Sequence, residues 1–343
     1  MIVHGRVVEQ AIDRGQRGSF VKELVVTGGK VPLSIVRKRS ADHARGGGTS
    51  APVLLIHGFG QNRYAWHLPS RSLANALARS GYDVFNLDLR GHGRSRELSS
   101  SRAECLDDYI GEDLPRAIEE VQHHSGARDV FLVGHSLGGL VSYAAAPDLT
   151  GAVAGIATLG APYHFTRGSA PLQALALLVK GLGAVNLRPH KVPLAVGAIG
   201  SMLRTLRPVA ETPLYPIPVR GWHKGALEPE VLEEHLRLAF DRAILGELME
   251  MLEWANDRRF GGRASDRGER FEGLDVPLLV VAGKHDDLAP ETSVRPGFDR
   301  SRSTDKTYRA VEAGHIDILV GRDAPRGVWQ IVDRWIGQRV KPH

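Results

Sequence analysis

The chain has 343 residues, 42% of them hydrophobic and 24% charged, which excludes a disordered or collagen-like protein and leaves ample length for a buried core. A single cysteine, Cys105, excludes an intrachain disulfide and any cysteine-built zinc cluster. The formal net charge is +5, and 35 of the 44 basic residues are arginines scattered along the chain, so the basic balance describes a solvated surface with no nucleic-acid-binding face.

Residues 1–20 carry charges throughout and lack the apolar core of a signal peptide. The most apolar stretch, residues 171–206, is interrupted by Lys180, Arg188, His190, Lys191 and Arg204, too often for a transmembrane helix. A cytoplasmic protein is the expectation. The first strands are predicted at residues 23–26 and 31–36, joined by the hairpin signal Thr27-Gly28-Gly29-Lys30. Residues 39–50 form a polar loop ending in three glycines, and residues 53–56 are a continuous apolar run of the kind that a doubly covered strand requires. A helix over 70–79 ends at Gly81, a strand follows at 82–87, and residues 106–123 carry Ile110, Leu114, Ile118 and Val121 on one helical stripe.

The alternation continues with a strand at 130–133, a helix at 137–146 stopped by Pro147, and a strand at 153–159. It resumes with strands at 278–282 and 308–311 and an amphipathic helix at 324–336. Strand–helix alternation implies a mostly parallel α/β sheet with helices on both faces. Between Tyr163 and Arg270 no strand is predicted. Residues 171–207 are apolar nearly all round, and residues 229–255 have an amphipathic helical pattern. Structureless loops of that length are rare, so the chain divides into a discontinuous core, 1–162 with 271–343, and an inserted helical cap, 163–270.

The sharpest chemical signal is Gly134-His135-Ser136-Leu137-Gly138-Gly139, which follows a buried strand and opens a helix. This is G-x-S-x-G in a strand–turn–helix context, where a serine projects from a tight turn and flanking glycines remove colliding side chains. The helix N-terminus supplies free N–H groups beside a developing oxyanion. A serine hydroxyl needs a base and an orienting acid. His315, just past the strand at 308–311, is the candidate base, and either Asp286 or Asp287, past the strand at 278–282, could be the acid. The backbone N–H groups of Leu137 and of Phe59, in the turn His57-Gly58-Phe59-Gly60, are the candidate oxyanion hole, with His57 a structural anchor. Trp66 and His67 are candidates for the acyl pocket, evenly balanced against core packing for Trp66 and solvation for His67. Leu172, Leu175, Leu178, Val179 and Leu182 either form the cap's own core or line a greasy substrate tunnel.

These residues together resemble the α/β-hydrolase superfamily in its serine esterase and lipase branch. The resemblance covers nearly the whole chain through HGFG at 57–60, DLRGHGRS at 88–95, GHSLGG at 134–139 and GHID at 314–317. The family's acid turn, G-x-x-D-x-x-x-P, matches Gly283, Asp286 and Pro290 and so implies a triad of Ser136, Asp286 and His315. Leu159-Gly160-Ala161-Pro162 looks like a lipase turn, and the tail GHIDILVGRDAP…W is similar to hydrolases related to polyhydroxyalkanoate synthases. Those synthases carry cysteine where this chain has Ser136, and typical epoxide hydrolases carry aspartate there. The resemblance therefore implies a carboxylic-ester hydrolase acting on medium to long acyl or other apolar esters. Acyl transfer and a non-catalytic binding role are the alternatives. No metal and no cofactor is expected, since neither a P-loop nor a strand-linked G-x-G-x-x-G is present. The expected partners are a small-molecule ester or lipid, with transient lipid-surface contact through the cap. The oligomeric state stays open.

Overall fold

A computed structural model describes residues 1–45, 51–184, 193–194, 196–205, 212, 219–262 and 265–340. Nine strands form one sheet: β1 (Ile2–Asp13), β2 (Gln16–Val26), β3 (Ser34–Ser40), β4 (Pro52–Ile56), β5 (Asp83–Asp88), β6 (Val130–His135), β7 (Val153–Leu159), β8 (Leu278–Gly283) and β9 (Lys306–Val311). Their order is β1-β2-β3-β5-β4-β6-β7-β8-β9. The first three are antiparallel to their neighbours, and the six from β5 to β9 along the sheet run parallel. Every residue of β4, β5, β6 and β8 is buried, as expected for strands covered on both faces.

Successive side chains leave a strand on opposite faces, and the two cores follow that period. Val53 and Leu55 of β4, Phe131 and Val133 of β6, and Leu279 and Val281 of β8 enter one core. They meet α1 (Leu73–Arg79) and the C-terminal helix (Val328–Gly337) there. Leu54, Ile56, Leu132, Val280 and Ala282 enter the other core, against α2 (Leu114–Ser125) and α3 (Leu137–Ala145). Each such side chain contributes about 1.5–3 kcal/mol by leaving water.

Some elements depart from expectation. The hairpin of β1 and β2 turns at Gly15, with φ 75°, and pairs Ile2 with Val25 through Asp13 with Gln16. Its first strand is an exposed edge whose apolar residues, Ile2, Val3 and Val7 among them, face outward and do not alternate with polar ones. The next turn spans residues 27–33, beyond the four-residue hairpin signal. Thr27 holds it closed, with its N–H on Leu33 O and its hydroxyl accepting Leu33 N–H at 2.9 Å. The helix expected over 106–123 is present as a continuous helical run over 106–125, widened to π-type at Asp108–Asp113 just ahead of Pro115. No Pro has an N–H for the helical ladder.

The inserted segment contributes α4 (Ala170–Ala184), α5 (Val196–Thr205), α6 (Pro229–Leu238) and α7 (Leu245–Asp257). It also contains a short antiparallel pairing of Pro193–Leu194 with Ala243–Ile244, so the expectation of no strand there is corrected. Val231, Leu232 and Leu236 of α6 join the first main core, and Met251 and Trp254 of α7 join the second. Among the described residues a small separate cluster, Ala176, Met249 and Leu252, sits between α4 and α7. No helix of the described residues is long and apolar enough to cross a membrane.

Candidate active site

The parallel strands end on one edge of the sheet, where the loops after β4, β6, β8 and β9 converge. Strand β6 enters α3 through Ser136, whose φ of 52° and ψ of −120° lie where L-residues are strained by about 1–3 kcal/mol. The turn is held from both sides: Ser136 N–H donates to Leu159 O at 3.1 Å, and Ser136 O accepts Gly139 N–H at 3.0 Å. The surrounding glycines follow from contact distances. A Cβ on Gly134 would lie 2.5 Å from Gly139 N; one on Gly138 would collide with Ile56 O, and one on Gly139 with the Ala161 methyl. Leu137 N–H heads α3, among the donors a helix leaves without an intrahelical acceptor.

The turn after β4 lies against this elbow, since a Cβ on Gly58 would be 3.1 Å from Ser136 Cβ. His57 anchors that turn as expected. Its Nε2 accepts Leu89 N–H at 3.1 Å, which puts the ring proton on Nδ1, 3.0 Å from Gly58 O. Burial holds the His57 imidazole below its ordinary pKa. Phe59 follows in the same turn, with its ring partly buried against the second core.

His315 Nδ1–H donates to Asp286 Oδ2 at 2.7 Å, and both side chains are buried, 7% and 3% exposed. The other Asp286 oxygen accepts Leu288 N–H at 2.9 Å and Ala289 N–H at 2.7 Å. Asp287 is exposed and accepts Arg220 N–H at 3.0 Å. Asp317 locks the His315 turn through its two oxygens, which accept Gly314 N–H at 2.7 Å and His223 N–H at 2.8 Å. Among the described residues Ser136 Oγ has no hydrogen-bond partner. Ser136 and His315 are linked through His135, whose Nε2–H donates to His315 O at 2.9 Å and whose ring centre lies 4.6 Å from that of His315.

The substrate-pocket candidates are redistributed. Trp66 is fully buried in the first core, its ring edge-on to His135 at 6.3 Å, and so packs the elbow from below. His67 is half-buried among polar neighbours: Lys38 Nζ lies 3.0 Å from His67 Nε2, and Ser72 Oγ lies 2.8 Å from His67 Nδ1. Burial pushes both Lys38 and His67 well below their ordinary pKa values. Leu175 packs on the small α4–α7 cluster, Leu172 is half-buried, and Leu178 is exposed. The side chains of Val179 and Leu182 lie outside the described residues.

Three polar residues near the site escaped the sequence reading. Gln61, directly after the HGFG turn, accepts Gly58 N–H at 3.2 Å, and its amide nitrogen lies 3.4 Å from His235 Nε2 of α6. Burial lowers His235 to about 3, and its Nδ1 is buried without a partner. Glu247 of α7 accepts the Tyr109 hydroxyl at 2.9 Å, and burial raises its carboxyl to about 8. The position of Gln61 beside the glycine turn was a usable signal. His235 and Glu247 have none, because their burial depends on where α6 and α7 dock. Among the described residues no three His, Cys, Asp or Glu side chains converge as a metal-ligand set.

Comparison with known proteins agrees with the fold. A family model described as alpha/beta hydrolase fold matches residues 51–322. The chain is 24% identical to a poly(3-hydroxyalkanoate) polymerase subunit PhaC of Haloferax mediterranei, covering 97% of this chain and 69% of that one. It is 35% identical to epoxide hydrolase B of Mycobacterium tuberculosis over 30% of this chain and 28% of that one. The structure aligns with a thermophilic esterase from Thermogutta terrifontis at a TM-score of 0.60 and 18% identity, covering 94% of this chain and 99% of that one.

Proposed function

The chain belongs to the alpha/beta hydrolase fold family, and from that premise we propose that it is a serine carboxylic-ester hydrolase with Ser136, His315 and Asp286 as its triad. The observation that carries this reading is the buried 2.7 Å bond from His315 Nδ1 to Asp286. In the neutral ring that bond places the proton on Nδ1 and leaves the second nitrogen, Nε2, as the acceptor for the Ser136 proton. In the first step Nε2 takes the Ser136 proton as Oγ bonds to the ester carbonyl carbon, and the carbonyl π electrons move onto oxygen. The N–H groups of Leu137 and Phe59 receive that oxyanion. Asp286 stabilises the imidazolium. Collapse breaks the bond to the alkoxy oxygen, which leaves with the proton from His315. Water then repeats the sequence on the acyl-enzyme and releases the acid.

The neighbouring buried histidines support this electrostatic division. Burial holds His57, His92, His135 and His235 neutral, so the positive charge that forms beside Asp286 is carried by His315 alone among them. In this reading segment 163–270 caps the site, and its apolar α4 favours medium or long acyl chains. A small ester or lipid is the substrate. The polymerase likeness along 97% of the chain favours one second reading, delivery of the acyl group to an alcohol or thiol in place of water. Hydrolysis of p-nitrophenyl esters from acetate to palmitate tests the proposal. Ser136→Ala is expected to lose about 10⁴–10⁶ in rate, and unchanged turnover in that variant would overturn it. Products formed with a competing alcohol separate hydrolysis from transfer.

A further inference from the structure

Away from the triad, a cleft of about 660 Å³ opens between the loop after β7, helix α4 and the C-terminal end of α7. Four basic side chains line it: His164, Arg167, Lys180 and Arg258. Among the described residues no carboxylate lines the cleft. No ion pair among the described residues engages Arg167, Lys180 or Arg258. The buried arginines among the described residues are compensated, Arg37 by Asp83, Arg71 by Glu228 and Arg90 by Asp113. Arg167, Lys180 and Arg258 are all exposed, and an anion entering the cleft would meet them without displacing an existing carboxylate partner among the described residues.

The walls of this cleft are built in. Asn256 of α7 donates its amide N–H to Ala176 O of α4 at 2.8 Å, and Gln173 donates to Thr166 O at 3.2 Å. Three non-glycine residues in the described chain have positive φ. One is Ser136 at the candidate nucleophile; the other two, Thr166 at 69° and Arg258 at 52°, both line the cleft. For a β-branched threonine that conformation is a true outlier, and such strain concentrates at functional sites. Arg167 also crowds His164, whose pKa is held down by burial, Arg300 and Arg167.

We propose that this cleft is a binding site for a multiply charged, phosphate-bearing anion, held by the guanidinium groups of Arg167 and Arg258 and the ammonium of Lys180. Guanidinium forks match phosphate oxygens in pairs, and the volume exceeds what one carboxylate would fill. The neighbouring Leu177 and Leu178 of α4 are 66% and 60% exposed, an apolar rim that a phosphate-headed lipid would cover and a free phosphate would not.

The test is calorimetric titration of the full chain with inorganic pyrophosphate at low salt, beside sedimentation with phosphatidylcholine vesicles with and without phosphatidic acid. Saturable binding of pyrophosphate is expected, weakened about tenfold or more in Arg167→Gln and in Arg258→Asn, the loss of a charge-assisted contact. Asparagine tolerates positive φ, so Arg258→Asn keeps the fold, checked by its melting curve. Arg295→Gln, which removes an exposed partner of Asp299, leaves binding unchanged. Binding to acidic vesicles alone, lost in the same two variants, assigns the site to a lipid headgroup and supports the proposal equally. Binding of neither probe, or binding that survives both cleft variants, overturns it. The readout is affinity, so the result stands apart from whether Ser136 turns over an ester.

Discussion

Replacing Asp286 by asparagine tests the reasoning about the site at a single atom. One Asp286 oxygen accepts two backbone N–H groups, from Leu288 and Ala289, and the other accepts His315 Nδ1–H. An asparagine has only one acceptor oxygen. Turning its NH₂ toward the two backbone donors would leave both unsatisfied in a buried site, at about 1–3 kcal/mol each. The oxygen therefore stays with Leu288 and Ala289, and the NH₂ faces His315. His315 must then accept on Nδ1 and carry its proton on Nε2, where it can no longer take the Ser136 proton. In Ser-His-Asp enzymes the same exchange lowers kcat by about 10⁴, equivalent to about 5 kcal/mol of transition-state stabilisation. Steady-state hydrolysis of the best p-nitrophenyl ester should show that loss in kcat with KM little changed and the melting temperature retained. Asp287→Asn, at an exposed site, should stay within about twofold. If Asp286→Asn keeps kcat within tenfold of wild type, or Asp287→Asn falls as far, the assignment of the acid is wrong.

Other consequences follow from the same geometry. Ser136→Gly removes a strained non-glycine residue at φ 52°, so calorimetry should show a gain of about 1–3 kcal/mol in stability while esterase activity disappears. Gly138→Ala forces a methyl into Ile56 O and should cost about 1–3 kcal/mol by denaturant titration, with labelling by a fluorophosphonate probe lost as the elbow shifts. Glu247 titrates near 8 when folded and near 4.5 when unfolded. Below pH 4.5 both states are protonated; between 4.5 and 8 the unfolded chain releases a proton that the folded chain keeps, so folding stability falls as pH rises across that window. The full effect is on the order of 3–5 kcal/mol. Glu247→Gln should flatten the pH dependence of urea unfolding between pH 5 and 8, and an unchanged slope would refute burial of that carboxyl.

Legibility in the sequence followed how local each determinant is. The strand Val153–Leu159 matches its expected bounds, and the expected 130–133 and 278–282 strands extend by one or two residues into β6 and β8. A strand covered on both faces writes its burial into a continuous apolar run. The Ser136 elbow was equally legible, because the collisions that demand Gly134, Gly138 and Gly139 arise within a few residues or from the adjacent strand β4 and the loop after β7. The edge strand β1 was not. Its pairing to β2 is made by backbone hydrogen bonds that any residue supplies, while its apolar residues are largely exposed and follow no period-2 alternation.

Composition and motif spacing thus determined the α/β architecture, the inserted segment and the three loops on which Ser136, Asp286 and His315 stand, since these rest on periodicity and on turns closed by neighbours in the chain. Which oxygen meets which proton was decided by tertiary structure alone. Strand order alone leaves Asp286 and Asp287 open and the family resemblance points to Asp286; the hydrogen bonds come from the loop's backbone, which turns Asp286 inward to His315 and Asp287 outward to Arg220. Trp66 under the elbow, Glu247 against Tyr109 and the uncompensated cations between α4 and α7 have the same origin. Burial and partner choice are set by segments far apart in sequence, and no local pattern encodes where those segments meet.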